Sequence, residues 1–189
     1  MVSTITSGYT KKCKESIGGI SDVYLFPYVK YSRSQIITTN NILTSFPQTN
    51  IFRFVPIGNP ASNENQENSE GGKFYNQSFT LDLQYKNDAF QLEKLLKKDY
   101  RLIIKDRNNI YKIYGLYNGL EANGINYTTG GSKSESNSFK IDFIGKEEKE
   151  SFFINDLEEA GFFNADFNYR ITQDGSFRIT QNDEFRILQ

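Results

Sequence analysis

Strict alternation of apolar and polar residues recurs along the chain and predicts a protein built mainly of β-strands. Within residues 73–85, Phe79, Leu81 and Leu83 alternate with polar neighbours, which is the pattern of a half-buried strand. Further strands are expected at residues 22–29, 35–43, 50–55, 100–106, 110–116, 119–129 and 138–145.

One segment, residues 87–98, has helical spacing instead. Asn87 or Asp88 can cap its first turn, and lysines crowd its C-terminal end, where the helix dipole favours cations. The apolar stripe consists of Phe90, Leu92, Leu95 and Leu96. The pattern predicts an α+β protein, mainly β, with one packed helix.

Two polar segments, 57–73 and 129–137, lack hydrophobic periodicity and are predicted to be loops. Loops of this length are either functional or disordered, and both interpretations stay open. If they are functional, they are candidates for assembly contacts that order on binding.

The charge pattern predicts a main domain over residues 1–150 and an acidic extension over 151–189. Residues 142–189 hold 11 acidic and 5 basic side chains, a net of −6, whereas residues 86–112 carry a net of +4. The extension contains an eight-residue repeat that starts at Tyr169, Phe177 and Phe185. Such units predict short β-hairpins that pack on the main domain or on a neighbouring subunit.

Composition excludes several classes of chemistry. The 189 residues include 22 basic and 23 acidic side chains, one cysteine and no histidine. Without histidine there is no Ser–His–Asp or Cys–His site, and the single Cys13 excludes a cysteine zinc site and an intrachain disulfide. The near-neutral balance argues against a dedicated nucleic-acid-binding protein. We therefore predict a protein that is not an enzyme and has no catalytic, cofactor-binding or metal site.

Two groups of residues nevertheless deserve a chemical interpretation. A basic aromatic hairpin could stack single-stranded bases, although a solvated strand face explains it as well. Its members are Lys97, Lys98, Tyr100, Arg101, Lys105, Arg107, Tyr111, Lys112 and Tyr114. A set of carboxylates could supply a glycosidase pair, although it lies in a charged, linker-like run. These are Glu147, Glu148, Glu150, Asp156, Glu158 and Glu159.

Other motifs are better explained by turns. Asp174, Asn182 and Asp183 could bind Ca²⁺, but their spacing matches no EF-hand loop. The glycine pairs at 18–19, 71–72 and 130–131 lack the Lys-Ser/Thr that follows a phosphate-binding loop. No run of 18 apolar residues is present, so we expect no membrane insertion.

Two stretches resemble a known family. They are CKESIGGISDVYL at residues 13–25, and the run from LEKLLKKDYRLIIKDRNNIYKIYGLYNGLEANG at 92–124 to SFKIDFIGKEEKESFFI at 138–154. The order and the amino-acid sequence of these stretches resemble those of tail-tube-like structural proteins of Bacteroidetes-infecting, crAss-like phages. The resemblance covers about residues 13–154; the polar insertion and the acidic tail depart from it.

The resemblance implies a β-sandwich or barrel with one packed helix, assembling into a hexameric ring of the tail tube, tail hub or adaptor. Genomic DNA would pass transiently through the lumen during ejection, and other tail and neck proteins would be partners. Synthesis in the host cytoplasm and a final location in the virion tail follow from the same resemblance. The alternative is a small all-β module that binds carbohydrate or a protein partner without catalysis.

Overall fold

The computed structural model describes residues 18–58, 60–69, 72–84, 98–129, 137–165, 168–171 and 177–180. These residues are mainly β, as predicted, and they contain fourteen strands and one short 3-10 turn, Arg33–Gln35, but no α-helix. The strands are β1 Ile20–Pro27, β2 Ile37–Thr39, β3 Ile42–Ser45, β4 Thr49–Phe54, β5 Ser62–Ser69, β6 Gly72–Gln84, β7 Asp99–Asp106, β8 Tyr111–Tyr114, β9 Leu120–Thr128, β10 Ser138–Glu147, β11 Phe152–Ile154, β12 Phe162–Asn164, β13 Asn168–Ile171 and β14 Phe177–Thr180.

Twelve of the described strands form one sheet, which curls into a half-barrel. Its main path runs β2-β3-β11-β8-β7-β9-β10-β6-β5. Strand β7 pairs along its length with β1, which continues through β4 to β12. β7 also pairs with β8 over one half and with the start of β9 at the other end. The sheet therefore branches at β7.

Two hydrophobic clusters lie on opposite faces of the β1–β7 pair because side chains alternate along each strand. One cluster contains Phe26 and Ile103 and extends to Phe46 and Phe162. The other contains Leu102 and extends across to β6 and β10, with Phe79, Leu81, Ile141 and Phe143. Burial on both faces explains why β7 reads as a nearly continuous apolar run.

Residues 35–43 do not form the single strand predicted from their sequence. Asn40 and Asn41 have φ values of 50° and 63°, so they turn the chain between β2 and β3. A two-residue turn with positive φ at both positions is a preferred hairpin connection, and asparagine tolerates it. The segment is a short antiparallel hairpin instead.

The prediction of a loop over residues 57–73 is wrong for residues 62–69 and 72–73, which lie in strands. Residues 62–69 form β5, which pairs with β6 in unbroken register from Ser62↔Phe79 to Ser69↔Gly72. Hydrophobic periodicity could not reveal this strand because its sequence, SNENQENS, contains no apolar residue. Backbone hydrogen bonds to β6 hold it in place.

Several predicted segments fall outside the described residues. The predicted helix over residues 87–98 does so except for Lys98, and the predicted loop over 129–137 does so for residues 130–136. Within the predicted extension, β11 pairs with β3 and β8, and β12 pairs with β4, so these two strands belong to the large sheet. The first two repeat units supply β13 and β14, which form an antiparallel pair.

Candidate functional site

Polar side chains from several strands converge on the tight turn between β8 and β9, residues 115–119, which we call the clamped turn. Gly115 and Gly119 have φ values of +69° and +81°, a region that favours glycine. A Cβ on Gly115 would lie 2.8 Å from the Leu120 Cγ, and one on Gly119 would lie 3.0 Å from the Tyr28 ring. Glycine is therefore required at both ends by backbone conformation and by space.

Side chains from three other parts of the sheet bind the backbone of the clamped turn. Gln77 on β6 accepts the Gly115 N–H at 2.8 Å. Arg101 on β7 donates from Nε to the Leu116 carbonyl at 2.9 Å. Tyr28, just after β1, donates its hydroxyl to the Tyr117 carbonyl at 2.6 Å. Because each contact satisfies a backbone group that no strand partner reaches, these side chains determine the shape of the turn.

Glu147, at the end of β10, completes the clamp. Its carboxylate accepts the Tyr117 N–H at 3.1 Å and the Asn118 N–H at 2.8 Å, and its side chain is only 2% exposed. Burial raises the pKa of Glu147 to about 7, although the backbone N–H groups of residues 117–119 and the charge of Arg101 act in the opposite direction. The carboxyl group therefore titrates near neutral pH.

Arg101 lies in an aromatic box. Its guanidinium carbon is 4.3 Å from the ring centre of Tyr28, 5.5 Å from that of Tyr31 and 5.2 Å from that of Phe46. Arg101 also donates from Nη2 to the Val29 carbonyl at 2.9 Å, and among the described residues Nη1 has no hydrogen-bond partner. Burial lowers the pKa of Arg101, but an arginine remains charged at neutral pH. The cation–π contacts compensate part of its lost hydration.

A chain of polar contacts links the clamped turn to the edge strand β5. Gln77, which holds Gly115, donates from Nε2 to Glu64 of β5 at 2.8 Å. Glu64 also accepts the Ser151 N–H at 2.6 Å and the Ser151 hydroxyl at 2.7 Å. Gln77 and Ser151 are both buried, so this series of hydrogen bonds connects the interior of the protein to β5, the last strand of the sheet.

An open groove of about 560 Å³ lies beside the clamped turn. Its lining includes Asn76, Ser78, Asp99, Asn118, Glu121 and Lys146. Asp99 and Glu121 are register partners across β7 and β9, which places two acidic side chains opposite each other. The groove thus carries charges of both signs beside the exposed apolar side chain of Ile144.

The predicted carboxylates lie in different environments. Glu147 is buried under the clamped turn, whereas Glu148 is exposed and forms an ion pair with Arg33. Asp156 accepts the backbone N–H groups of Glu158 and Glu159 at 2.8 and 3.0 Å, which is a turn-forming role. Glu147, Glu148 and Asp156 therefore have three separate local roles, in the clamped turn, in an ion pair and in a turn of their own.

The basic aromatic hairpin does not present one continuous face either. Tyr100, Arg101 and Tyr114 are buried, because β7 is covered on both sides. Lys105 Nζ lies 5.5 Å from the ring centre of Tyr111, so part of the hairpin is a cation–π pair. Lys97, the first residue of the predicted set, lies outside the described residues.

Sequence reasoning missed the roles of Gln77, Tyr28 and Glu64. The available signal was weak: Gln77 is one amide within a long alternating strand, and Glu64 is one acid in a polar run. Arg101 had a clearer signal, because it sits between an aromatic residue and three apolar ones on β7. Contacts between residues up to 89 positions apart decide these roles, and no local pattern encodes them.

Among the described residues, no three His, Cys, Asp or Glu side chains converge as a metal-binding group would require. The same residues contain no helix with the length and apolar character needed to cross a bilayer. Comparison with known proteins found no matching family model, no similar curated protein and no similar solved structure.

Proposed function

We propose that this chain is a structural subunit of a phage tail that self-associates through its sheet edges into a ring of the tail tube or hub, part of the channel for DNA ejection. The observation that carries the proposal is that β5 is an eight-residue strand at the edge of the sheet. The family resemblance of residues 13–154 supplies the biological setting.

Strand β5 supports the proposal because it is a long, regular edge strand whose only charged residues are Glu64 and Glu67. It runs for eight residues, pairs only with β6 among the described strands, and has no lysine, no proline and no register shift. Soluble proteins usually shorten, kink or charge such an edge with lysine to prevent pairing with another chain. An edge without these protections is suited to β-sheet extension by a partner.

The opposite end of the strand path, β2, is a second and different edge, where the exposed side chain of Ile37 rather than a long backbone ladder is available for contact. β2 is three residues long, has a register shift next to Ile37, and exposes 53% of that side chain. A closed ring needs two different patches on each subunit, since each copy contacts its neighbours head to tail. We assign β5 and the β2 edge to these two patches, which makes the interface heterologous.

Negative-stain imaging and light scattering over a range of protein concentrations test the ring directly. The proposal expects closed rings, about six-fold symmetric as the resemblance implies. A protein that stays monomeric at every concentration would contradict it.

Two adjacent proline substitutions test the role of β5. In an antiparallel pair, successive residues alternately direct their N–H toward the partner strand and away from it. Of Asn65→Pro and Gln66→Pro, one therefore removes a bond to β6 and lowers the melting temperature, while the other removes an outward N–H and leaves the fold intact. We expect the stable variant to lose assembly. If the stable variant assembles into rings as well as the wild type does, β5 is not part of the interface.

The groove beside the clamped turn favours a second candidate, a carbohydrate-binding module. Amide and carboxylate side chains such as Asn76, Asn118 and Glu121 are suited to hydrogen bonds with sugar hydroxyls. Glycan-array binding by a stable monomer, lost in Asn118→Ala and retained in Asn65→Ala, would support this function instead of the ring.

A further inference from the structure

Two Asn-Gly pairs, Asn118–Gly119 and Asn123–Gly124, lie in different surroundings in the fold. An asparagine that precedes glycine is especially prone to spontaneous deamidation, because glycine has no Cβ to hinder attack of its main-chain nitrogen on the asparagine side chain. The reaction also requires an accessible side chain and a backbone that is free to rearrange. The tertiary structure therefore decides which of the two asparagines can react.

Asn123–Gly124 lies where the pairing of β9 with β10 is irregular. The register moves three residues along β9, from Ala122 to Ile125, but only two along β10, so Asn123 and Gly124 lie opposite Asp142 alone. This is a β-bulge, in which one residue has no partner in the ladder. Asn123 is exposed, and a Cβ on Gly124, whose φ is +144°, would meet no heavy atom within 4 Å. The pair thus has the accessibility and the space that the reaction requires.

Asn118–Gly119, in the clamped turn, is held at the groups that the reaction uses. The Gly119 N–H donates to the Gly115 carbonyl at 3.2 Å, and the Asn118 side chain donates from Nδ2 to the Lys146 carbonyl at 2.9 Å. Glu147 accepts the Asn118 N–H at 2.8 Å, which fixes the backbone just before the attacking nitrogen. The attacking nitrogen and the leaving amide are both bound, so the exposure of Asn118 does not suffice for reaction.

We propose that Asn123 is a site of spontaneous deamidation, which places a carboxylate and an isoaspartyl linkage in β9. The Gly124 nitrogen loses its proton and bonds to the Asn123 Cγ, while the bond from Cγ to Nδ2 breaks and that nitrogen leaves as ammonia. Water then opens the resulting succinimide at either carbonyl, which yields aspartate or isoaspartate. Water is the only co-reactant, and the inference does not depend on the ring, because it concerns one subunit.

Deamidation should weaken the half of the β9–β10 pair that follows the bulge. A carboxylate at residue 123 would lie opposite Asp142, and like charges at facing positions destabilise a strand pair. The isoaspartyl form also lengthens the main chain by a methylene group, which displaces the following residues from their partners on β10. Ile125, which packs against the second hydrophobic cluster, and Tyr127, whose ring centre is 5.0 Å from that of Phe139, would be affected directly.

Incubation of the full chain at mildly alkaline pH, followed over time by peptide mass spectrometry and an isoaspartate assay, tests the site. In the folded protein Asn123 should deamidate roughly 30-fold faster than Asn118, since reaction at Asn118 first requires two hydrogen bonds to break. The rate should increase with pH, because the attacking nitrogen must lose its proton. In urea the two asparagines should react at similar rates, which would assign the difference to the fold.

Asn123→Gln is the matched variant, because it keeps the amide but can form only a larger ring, which closes more slowly. After equal incubation the wild type should have a lower melting temperature and faster hydrogen exchange at Ile125 and Tyr127, and the variant should be unchanged. A folded protein in which Asn123 reacts no faster than Asn118 would overturn the site. Equal losses of melting temperature in both proteins would overturn the effect on β9. The wild-type rates decide the site by themselves if Asn123→Gln does not fold.

Discussion

Strands β7 and β5 have the same length, eight residues, and opposite surroundings. β7, with the sequence DYRLIIKD, is buried on both faces at its centre, whereas the side chains of Asn65, Gln66, Glu67 and Asn68 on β5 are all exposed. β7 has neighbours on both edges, and β5 has β6 alone among the described strands. Side-chain burial stabilises the first strand, and the backbone ladder of its partner stabilises the second.

The difference shows that a strand can be specified in two ways. Burial of the β7 side chains stabilises the fold, so nearly any change in their size should lower the free energy of unfolding. Residues 65–68 of β5 stay in water, so their identity is free to serve another purpose, such as docking of a second chain, whereas Glu64 bonds to the buried Gln77 and Ser151. The predictions below test this contrast in order of decreasing effect.

The largest effect is expected in β7. Ile103 is fully buried, so Ile103→Ala should lower the free energy of unfolding by about 2–5 kcal/mol, through lost burial and the cavity left behind. Urea denaturation measures it. Ile144→Ala is the matched control, because Ile144 is 42% exposed on β10, and it should cost less than about 1 kcal/mol. Equal losses at the two sites would contradict the assignment of the core.

The second effect is the pH dependence of stability through Glu147. The folded-state pKa of about 7 exceeds the ordinary 4.5, so the folded protein binds more protons in this interval. This contribution, about 3 kcal/mol, is fully present below pH 4.5 and is lost as pH rises through about 7. Stability should therefore decrease between pH 5 and pH 8, as measured by urea denaturation at each pH.

The matched control for this prediction lies on β5. Glu147→Gln should remove the decrease, whereas Glu67→Gln, at an exposed side chain, should leave it unchanged. A decrease that survives in Glu147→Gln would assign the pH dependence to another group.

The smallest effect is expected on β5. Asn65→Ala should change the free energy of unfolding by less than about 0.5 kcal/mol, because the side chain is exposed and the backbone bonds to β6 remain. Urea denaturation of the monomeric protein measures it. A loss above about 1 kcal/mol would mean that the side chains of β5, and not only its backbone, stabilise the strand.

The sequence predicts a strand where one of its faces is buried, because burial leaves a local pattern, and it does not predict features that leave no such pattern. Alternation in residues 73–85 and 138–145 predicted β6 and β10, because a one-sided buried strand leaves a period of two. The same rule failed at β5, whose side chains face water, and at residues 35–43, where two asparagines turn the chain. Glu147 was predicted as a candidate carboxylate, but its burial and its partners in the turn were not.

By itself, the sequence determined the β character of the chain and excluded chemistry that needs a histidine or a pair of cysteines, since composition and periodicity can be read without the fold. Only the tertiary structure decided that Gln77, Arg101 and Glu147, from three strands, meet at one turn. Only the tertiary structure, too, placed the polar segment 62–69 at the edge of the sheet. The physical reason is the same in both cases: hydrogen bonds and desolvation depend on neighbours that are distant in the chain.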